Sequence, residues 1–140
     1  MPEQPDTPIL TLTGILCEIQ KGNIRIPDFQ RDYIWTPEQV LELLDSVWNG
    51  YPIGSILLWK TAIELKEISP LHLNLVAFPK GMEKFYLLDG QQRIVTLYSI
   101  LHDSLELGRK RKIEYKVFFD LKNKSFCIYK KKDLQNNEDV

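Results

Sequence analysis

Asp89-Gly90-Gln91-Gln92-Arg93 is the segment of this chain whose residue types and spacing suit it best to chemistry. A short apolar run ends at Asp89 and a helical pattern starts at once, so several unpaired backbone N–H groups point at one place. Gly90 has no Cβ and lets a ligand approach the backbone, while the guanidinium of Arg93 suits phosphate oxygens. The segment predicts an anion site, and we interpret the anion as a nucleotide phosphate.

The same segment has a simpler interpretation, in which Asp89 caps the helix and Gly90 makes an ordinary turn. Gln91, Gln92 and Arg93 would then form a solvated first turn. Helices favour acidic residues in that turn, however, and Arg93 opposes the helix dipole unless an anion is present. The order of the residues therefore favours the anion site.

Composition limits the class of protein. The 140 residues suit one domain with one core, and 44% hydrophobic and 26% charged residues are ordinary for a globular protein. No apolar run approaches the length of a membrane span, and the acidic N-terminal segment does not resemble a secretion signal. Cys17 and Cys127 form no C-x-x-C pair, so neither a disulfide framework nor a zinc site is expected. We expect a cytoplasmic protein with no membrane partner.

The net charge of −1 conceals an uneven distribution. Residues 1–104 hold 8 basic and 13 acidic side chains, whereas residues 105–132 hold 10 basic and 3 acidic ones. A patch of this kind suits nucleic acid, and we predict DNA contacts by Arg109, Lys110, Arg111 and Lys112. A solvated rim around a hairpin is the alternative explanation.

Hydrophobic periodicity and turn residues predict the elements that position these groups. In chain order they are a helix ending at Gly22, an extended Ile24–Pro27, a helix from the Thr36 cap to Gly50, a buried strand at Ile56–Trp59, a strand at Phe85–Leu88, a helix from Gln91 with an apolar stripe through Leu101 and Leu105, and a hairpin of Ile113–Asp120 with Ser125–Tyr129. The segment 61–84 is either a loop or a pair of short strands. This pattern indicates one mixed α/β or α+β domain over residues 9–132, between a flexible arm (1–8) and a flexible tail (133–140).

Two motifs now stand together, Ile26-Pro27-Asp28-Phe29-Gln30-Arg31-Asp32-Tyr33-Ile34-Trp35 and Leu88-Asp89-Gly90-Gln91-Gln92-Arg93, with the capped helix and Gly50–Trp59 between them. This order resembles the domain found in the S portion of GmrSD-type restriction systems, which cut modified DNA. That family is similar in fold to ParB and sulfiredoxin. The resemblance covers residues 10–130 and implies a mixed sheet with packed helices.

The resemblance also implies roles for the two motifs. In ParB a G-E-R-R stretch opens a helix and holds a nucleoside triphosphate, and residues 90–93 match it here. The matching stretch of sulfiredoxin carries its reactive cysteine where this chain has Gln91, so sulfiredoxin chemistry is not expected. The ParB stretch N-P-x-Q-P-R is similar to residues 27–31, which places Gln30 and Arg31 near the nucleotide. A salt-bridged strand end is the alternative for these two residues.

Carried over residue by residue, the resemblance implies a sensor domain that binds and hydrolyses a nucleoside triphosphate with Mg²⁺. The nucleotide-binding residues would be Gln30, Arg31, Tyr33, Asp89, Gly90, Gln91, Gln92, Arg93 and Thr96. Asp89, Gln92 and Arg93 would be catalytic, and Asp89 would also hold the metal. The other aromatic residues near the first motif and on the strands, Phe29, Trp35, Trp48 and Trp59, are interpreted as core and sheet residues.

DNA would be the second partner, cut by a separate nuclease domain or subunit, and the chain could form a homo-oligomer. Two other functions are alternatives. The first is a ParB-like nuclease, which predicts DNA cleavage by this chain alone with Mg²⁺. The second is a non-catalytic DNA-binding or assembly module, which predicts salt-sensitive DNA binding and no affinity for nucleotides.

Overall fold

The computed structural model describes residues 11–68, 79–101, 106–107, 111–112 and 115–130. These residues form three helices and eight strands, which are α1 (Leu12–Gln20), β1 (Ile24–Pro27), α2 (Pro37–Trp48), β2 (Leu57–Thr61), β3 (Glu67–Ile68), β4 (Lys84–Asp89), α3 (Gln91–Leu101), β5 (Glu106–Leu107), β6 (Arg111–Lys112), β7 (Tyr115–Asp120) and β8 (Ser125–Lys130). The alternation of helices and strands confirms the predicted α/β class. The predicted arm and tail lie outside the described residues.

A four-stranded sheet in the order β2-β4-β1-β3 forms the centre of the domain. The two inner strands, β1 and β4, run parallel, with Ile24 opposite Phe85. Each edge strand is antiparallel to its inner neighbour, β2 to β4 and β3 to β1. Because β1 and β4 are parallel, their carboxyl ends at Pro27 and Asp89 lie at the same end of the sheet.

The core surrounds α3, whose apolar side chains divide between two clusters. The first cluster joins α3 to α1, β1 and β4 and contains Leu16, Ile19, Ile24, Ile26, Tyr33, Leu87, Ile94, Val95 and Tyr98. The second joins α3 to α2 and contains Val40, Leu43, Leu44 and Leu97. A helix buried on most of its sides is held by packing rather than by its own propensity. The position of its first turn is therefore set by the core.

The start of α2 and the C-terminal hairpin form as predicted. Thr36 and Gln39 make a capping box, in which the Gln39 Oε1 accepts from the Thr36 N–H at 3.0 Å and Pro37 occupies the first helical position. Strands β7 and β8 pair antiparallel from end to end. At the end of α2, the centroid of the Trp48 ring lies 4.6 Å from that of the Phe119 ring, and this contact packs the hairpin against the helix.

Four predictions of burial are wrong. Trp48, interpreted as a core or sheet residue, is 55% exposed because it is the last residue of α2, outside both core clusters. Leu57 and Trp59 are exposed because β2 is an edge strand of the four-stranded sheet. Leu101, the last described residue of α3, is exposed, and Leu105 of the same predicted stripe lies outside the described residues. Phe29 is also exposed, since it lies on a turn after β1 rather than in the sheet. In the part of the chain that the structure describes, no helix has both the length and the apolar character needed to cross a membrane.

Candidate functional site

Three segments meet where the carboxyl ends of β1 and β4 lie side by side. Residues 28–36 leave β1 at this end, and α3 begins here directly after β4. Residues 51–56 arrive at the same place because β2 is antiparallel to β4, with Leu57 opposite Asp89. The parallel pairing of two strands that are 56 residues apart in the chain thus brings the two sequence motifs together. The crevice at the carboxyl ends of parallel strands is a common place for ligands in α/β folds.

The N-terminus of α3 is open to a ligand. The Ile94 N–H donates to the Gly90 carbonyl at 3.0 Å, so Gly90 rather than Asp89 occupies the capping position. Gly90 has a φ of 93°, and a Cβ there would lie 2.4 Å from the Ile56 Cδ1. Glycine offers no side-chain acceptor, and the first N–H groups of a helix have no acceptor within it. The alternative in which Asp89 caps this helix does not match the structure.

Arg93 holds the loop that precedes β2. Its guanidinium donates from Nη1 to the Ile53 carbonyl at 2.5 Å and from Nη2 to the Ser55 carbonyl at 2.8 Å. The same Nη2 lies 3.5 Å from the Asp89 Oδ2. A Cβ on Gly54 would lie 2.1 Å from Nη1, so glycine is required for this close approach. Arg93 was predicted as a phosphate clamp, and in this structure its guanidinium bonds the loop at residues 53–55.

Gln30 and Arg31 occupy the facing wall. The Gln30 Nε2 donates to the Leu88 carbonyl at 2.9 Å and so ties the segment after β1 to the end of β4. Arg31 is exposed, and its guanidinium has no hydrogen bond or ion pair within residues 11–68, 79–101, 106–107, 111–112 and 115–130. The alternative of a salt-bridged strand end thus does not describe Arg31 in these residues. Arg31 is a cation available to a ligand.

The two glutamines at the start of α3 are both buried but differ in their partners. Gln92 uses both ends of its amide, since its Oε1 accepts from the Ile34 N–H at 3.0 Å and its Nε2 donates to the Asp32 carbonyl at 3.2 Å. Gln91 is only 5% exposed, and no donor in the described part of the chain reaches its Oε1. A buried carbonyl oxygen without a partner is costly, and such groups often belong to sites that a ligand or water completes.

Tyr33 and Thr96 lie beneath the site. Their hydroxyl oxygens are 2.7 Å apart, and the Thr96 hydroxyl also donates to the Gln92 carbonyl at 2.8 Å. Both side chains are buried, and neither is among the residues that line the cleft. They support the segment after β1 against α3, and their contact with a nucleotide stays a prediction.

These walls enclose a cleft of about 200 Å³, whose lining residues are Gln30, Arg31, Trp35, Asp89, Gly90, Gln91, Gln92 and Arg93. Seven of the nine predicted nucleotide-binding residues are in this lining. Sequence reasoning missed Trp35, which was interpreted as a core residue, and the loop at residues 53–55, which lies outside this lining but is bonded to Arg93 within it. The pair of glycines at Gly50 and Gly54 was the available signal for a specially shaped loop, because both have positive φ angles.

A comparison with known protein families identifies the family of this chain. A family model described as the N-terminal domain of the GmrSD restriction endonuclease matches residues 12–140. The chain belongs to the GmrSD N-terminal domain family.

A curated protein is also similar to the chain over much of its length. The uncharacterized protein MJ0686 of Methanocaldococcus jannaschii is 28% identical over 119 residues, which cover 79% of this chain and 20% of that protein. The chain thus spans about a fifth of the length of this relative. No solved structure matches the chain. The family is that of a domain in restriction systems, and the match covers both motifs of this GmrSD-type domain.

The charges in the cleft of this GmrSD-type domain suit an anion with a metal ion. Arg31 and Arg93 face a single lining carboxylate, Asp89, which is 70% exposed on its side chain. Within the described ranges no group of three or more His, Cys, Asp or Glu side chains could hold a metal by itself. Magnesium at nucleotide sites needs only one or two carboxylates, because phosphate oxygens and waters complete its shell. The Asp89 carboxylate is therefore a suitable magnesium ligand, and the binding of magnesium and a triphosphate here stays a prediction.

The predicted DNA contacts of the domain fall mostly where the structure gives no description. Arg109 and Lys110 lie outside the described residues, and only the backbone of Arg111 and Lys112 is described, in the short strand β6. Strand β6 pairs antiparallel with β5, so these two residues are part of a two-stranded ribbon. Their role in DNA binding stays a prediction.

Proposed function

We propose that this domain binds a nucleoside triphosphate by its phosphates in the cleft and hydrolyses it, as the sensor part of a DNA restriction system. One observation carries the proposal. One cleft is lined by the open N-terminus of α3, the Arg31 guanidinium and the Gln91 Oε1, and neither side-chain group has a partner among the described residues. A helix N-terminus with a free cation opposite it favours a multiply charged anion.

Each lining group has a role that its contacts suggest. The N–H groups of residues 91–93 would receive phosphate oxygens, and Arg31 would close over them from the facing wall. Gln91 Oε1 is an acceptor, and an acceptor repels phosphate oxygens, so we assign it to a water. That water attacks the terminal phosphorus, the bond to the bridging oxygen breaks, and the nucleoside diphosphate leaves with the electron pair. The proton of the water passes to an oxygen of the released phosphate.

The predicted catalytic residues act in different ways in this proposal. Asp89 would hold magnesium, which neutralises charge on the phosphates when it is bound. Gln92 and Arg93 have their side chains bonded to the backbone of the two neighbouring segments, so we assign them to positioning those segments. In phosphoryl transfer, positioning and charge neutralisation account for most of the catalysis.

The test is calorimetric titration of the whole chain with ATP and Mg²⁺, on wild type and on Arg31→Ala. Loss of a charge-assisted phosphate contact should weaken binding by about 1.5–3 kcal/mol. Lys122→Ala is the matched control, because Lys122 is an exposed cation on the β7–β8 turn, outside the cleft lining. Equal affinities for the three proteins would remove Arg31 from the site, and no binding by wild type would contradict the proposal.

Hydrolysis is tested separately with Asp89→Asn, which removes the charge and keeps the size of the side chain. Phosphate release with Mg²⁺ should fall at least about tenfold while binding is largely kept, because the metal and not the nucleotide loses its ligand. Glu42→Gln on the exposed side of α2 is the control for the loss of one negative charge. An unchanged rate in Asp89→Asn would remove Asp89 from catalysis.

DNA is the second proposed partner, supported by the family and by the excess of basic residues in 105–132. Contacts by Arg109, Lys110, Arg111 and Lys112 would release counterions, so the logarithm of the affinity should fall linearly with the logarithm of salt concentration. Changing all four to alanine should reduce that slope. Identical slopes for mutant and wild type would mean that these four residues serve solubility and do not contact DNA. Cleavage of DNA by this chain with Mg²⁺ would instead support the nuclease alternative.

A further inference from the structure

The cleft is too small to enclose a whole nucleotide. Its volume is about 200 Å³, whereas pockets that bury most of a drug-sized molecule hold about 300–1,000 Å³. Its lining is polar apart from Trp35, and the open N–H groups and cations suit phosphate oxygens rather than a base. A triphosphate bound here would keep its phosphates inside and its base at the mouth.

Phe29 lies directly before two of the lining residues and is 66% exposed. The turn that carries it is fixed on both sides. The Gln30 N–H donates to the Pro27 carbonyl at 3.1 Å, and the Asp28 N–H donates to the Lys66 carbonyl at 2.7 Å. The Gln30 side chain is bonded to the end of β4 as well. An apolar ring held in solvent by a rigid turn loses little entropy when it binds a ligand.

We propose that the cleft reads only the phosphate chain, and that the base stacks outside it on Phe29. This inference rests on the proposed function and names its ligand class, namely any of the common nucleoside triphosphates. Every base has a π-face, so stacking on a phenyl ring is tolerant of base identity. Base-specific recognition would need buried hydrogen-bonding groups placed around the base edge, and a base at the mouth of the cleft lies beyond the polar groups of the lining.

The experiment titrates the whole chain with ATP, GTP, CTP, UTP and inorganic tripolyphosphate, each with Mg²⁺. Wild type should bind the four nucleotides with affinities within about fivefold of one another, because stacking discriminates weakly between bases. Phe29→Ala should weaken every nucleotide about five- to 150-fold, the value of one base–aromatic stack, and leave tripolyphosphate unchanged. Phe118→Ala, which removes another exposed ring on the hairpin outside the cleft lining, should change neither.

The outcomes separate this inference from the function on which it rests. A preference for one base well above tenfold, or an equal loss of tripolyphosphate and nucleotide affinity in Phe29→Ala, overturns the inference and leaves triphosphate binding in place. Nucleotide affinities that Phe29→Ala does not change overturn it too. If none of the five ligands binds, the proposed function fails and the inference fails with it. Unfolding curves of Phe29→Ala confirm that the exposed substitution leaves the fold intact.

Discussion

Gln92 connects the start of α3 to the segment that carries Arg31. Its amide pairs with the backbone at Ile34 and Asp32, much as a neighbouring strand would. The bonds reach across 58 and 60 residues of sequence. A buried amide with both ends satisfied fixes the geometry of what it joins, because moving either side leaves a buried group unpaired. Gln92 therefore sets the distance between the helix N-terminus and Arg31.

Gln92→Glu should destabilise the fold by about 1–3 kcal/mol at neutral pH. The introduced carboxylate can still accept from the Ile34 N–H, but it faces the Asp32 carbonyl with no proton to donate. Acidification should recover part of the loss, since the protonated carboxyl is again a donor. Denaturant unfolding at several pH values measures both effects.

Gln39→Glu is the matched control for that substitution. Gln39 accepts from the Thr36 N–H in a capping box, a role that glutamate fills equally well near a helix N-terminus. Its stability should stay within about 0.5 kcal/mol of wild type. If the two variants behave alike, the Gln92 amide does not hold the cleft wall.

The residues of the site were more predictable than their partners. The turn at Gly90, the charge of Arg93 and the nearness of Gln30 to the helix start follow from local sequence and from the family resemblance. Arg93 bonds to carbonyls 40 and 38 residues away, and nothing in its own segment indicates them. Backbone carbonyls have no residue type, so a sequence cannot mark them as partners. The free cation was consequently assigned to Arg93, whereas in the described residues it is Arg31.

At the scale of elements, the loop at residues 51–56 is held next to the start of α3 by Arg93, which donates to the carbonyls of Ile53 and Ser55. Gly54 has a φ of 87° and lies against the Arg93 guanidinium. Gly50, at the end of α2, has a φ of 70° with open space where a Cβ would be. Both glycines therefore have a conformation that disfavours other residues, and Gly54 alone has an additional contact to protect.

Gly54→Ala should cost more stability than Gly50→Ala. Each variant places a Cβ in a left-handed conformation, which costs about 1–2 kcal/mol. In Gly54→Ala the new methyl also displaces the guanidinium from the Ile53 carbonyl, for about 1–3 kcal/mol more. Thermal or denaturant unfolding of both variants gives the difference. Equal losses would show that the Arg93 clamp contributes nothing measurable to stability.

Elements with local signals were predicted well, and those set by distant pairing were not. The capping box of α2 and the β7–β8 hairpin are coded by neighbouring residues, and both form. The exposure of β2 depends instead on its place in the sheet, which is decided by where β4 pairs. An apolar run such as Ile56–Trp59 looks the same in a central strand and in an edge strand. Only two residues are described in each of β3, β5 and β6, and two residues show no periodicity.

At the scale of the whole molecule, the four-stranded sheet also contains a charged cluster away from the cleft. Arg25 on β1 and Lys84 on β4 are both buried and share one carboxylate, Glu67 on β3. The Arg25 Nη1 lies 2.6 Å from the Glu67 Oε2, and the Lys84 Nζ lies 3.2 Å from Oε1. The Tyr86 hydroxyl also donates to Oε1 at 3.0 Å. Glu67 therefore ties the edge strand β3 to both central strands.

The cluster shifts the pKa values of Glu67 and Lys84 in opposite directions. Burial acts to raise the pKa of Glu67, but hydrogen bonds from Arg25, Tyr86 and Lys84 outweigh it and hold that pKa below its ordinary value of 4.5. Burial acts to lower the pKa of Lys84, but its hydrogen bonds with Tyr86 and Glu67 raise that pKa above 10.5. Both charged forms are thus favoured by folding.

The stability of the domain should consequently depend on Glu67 over a defined range of pH. A carboxyl whose pKa is lower in the folded state stabilises the fold fully above its unfolded pKa, and this contribution is lost as the pH falls through the folded value. Glu67→Gln should cost about 3–5 kcal/mol at pH 7, because two buried cations lose their counter-charge. The difference in unfolding free energy between Glu67→Gln and wild type should narrow below about pH 4.5.

Glu83→Gln is the control. It breaks the exposed pair with Lys60 and should cost less than about 1 kcal/mol at any pH. Denaturant unfolding of the three proteins from acid to neutral pH measures these differences in the free energy of unfolding. If the difference between Glu67→Gln and wild type does not change with pH, the Glu67 carboxyl contributes packing and not charge.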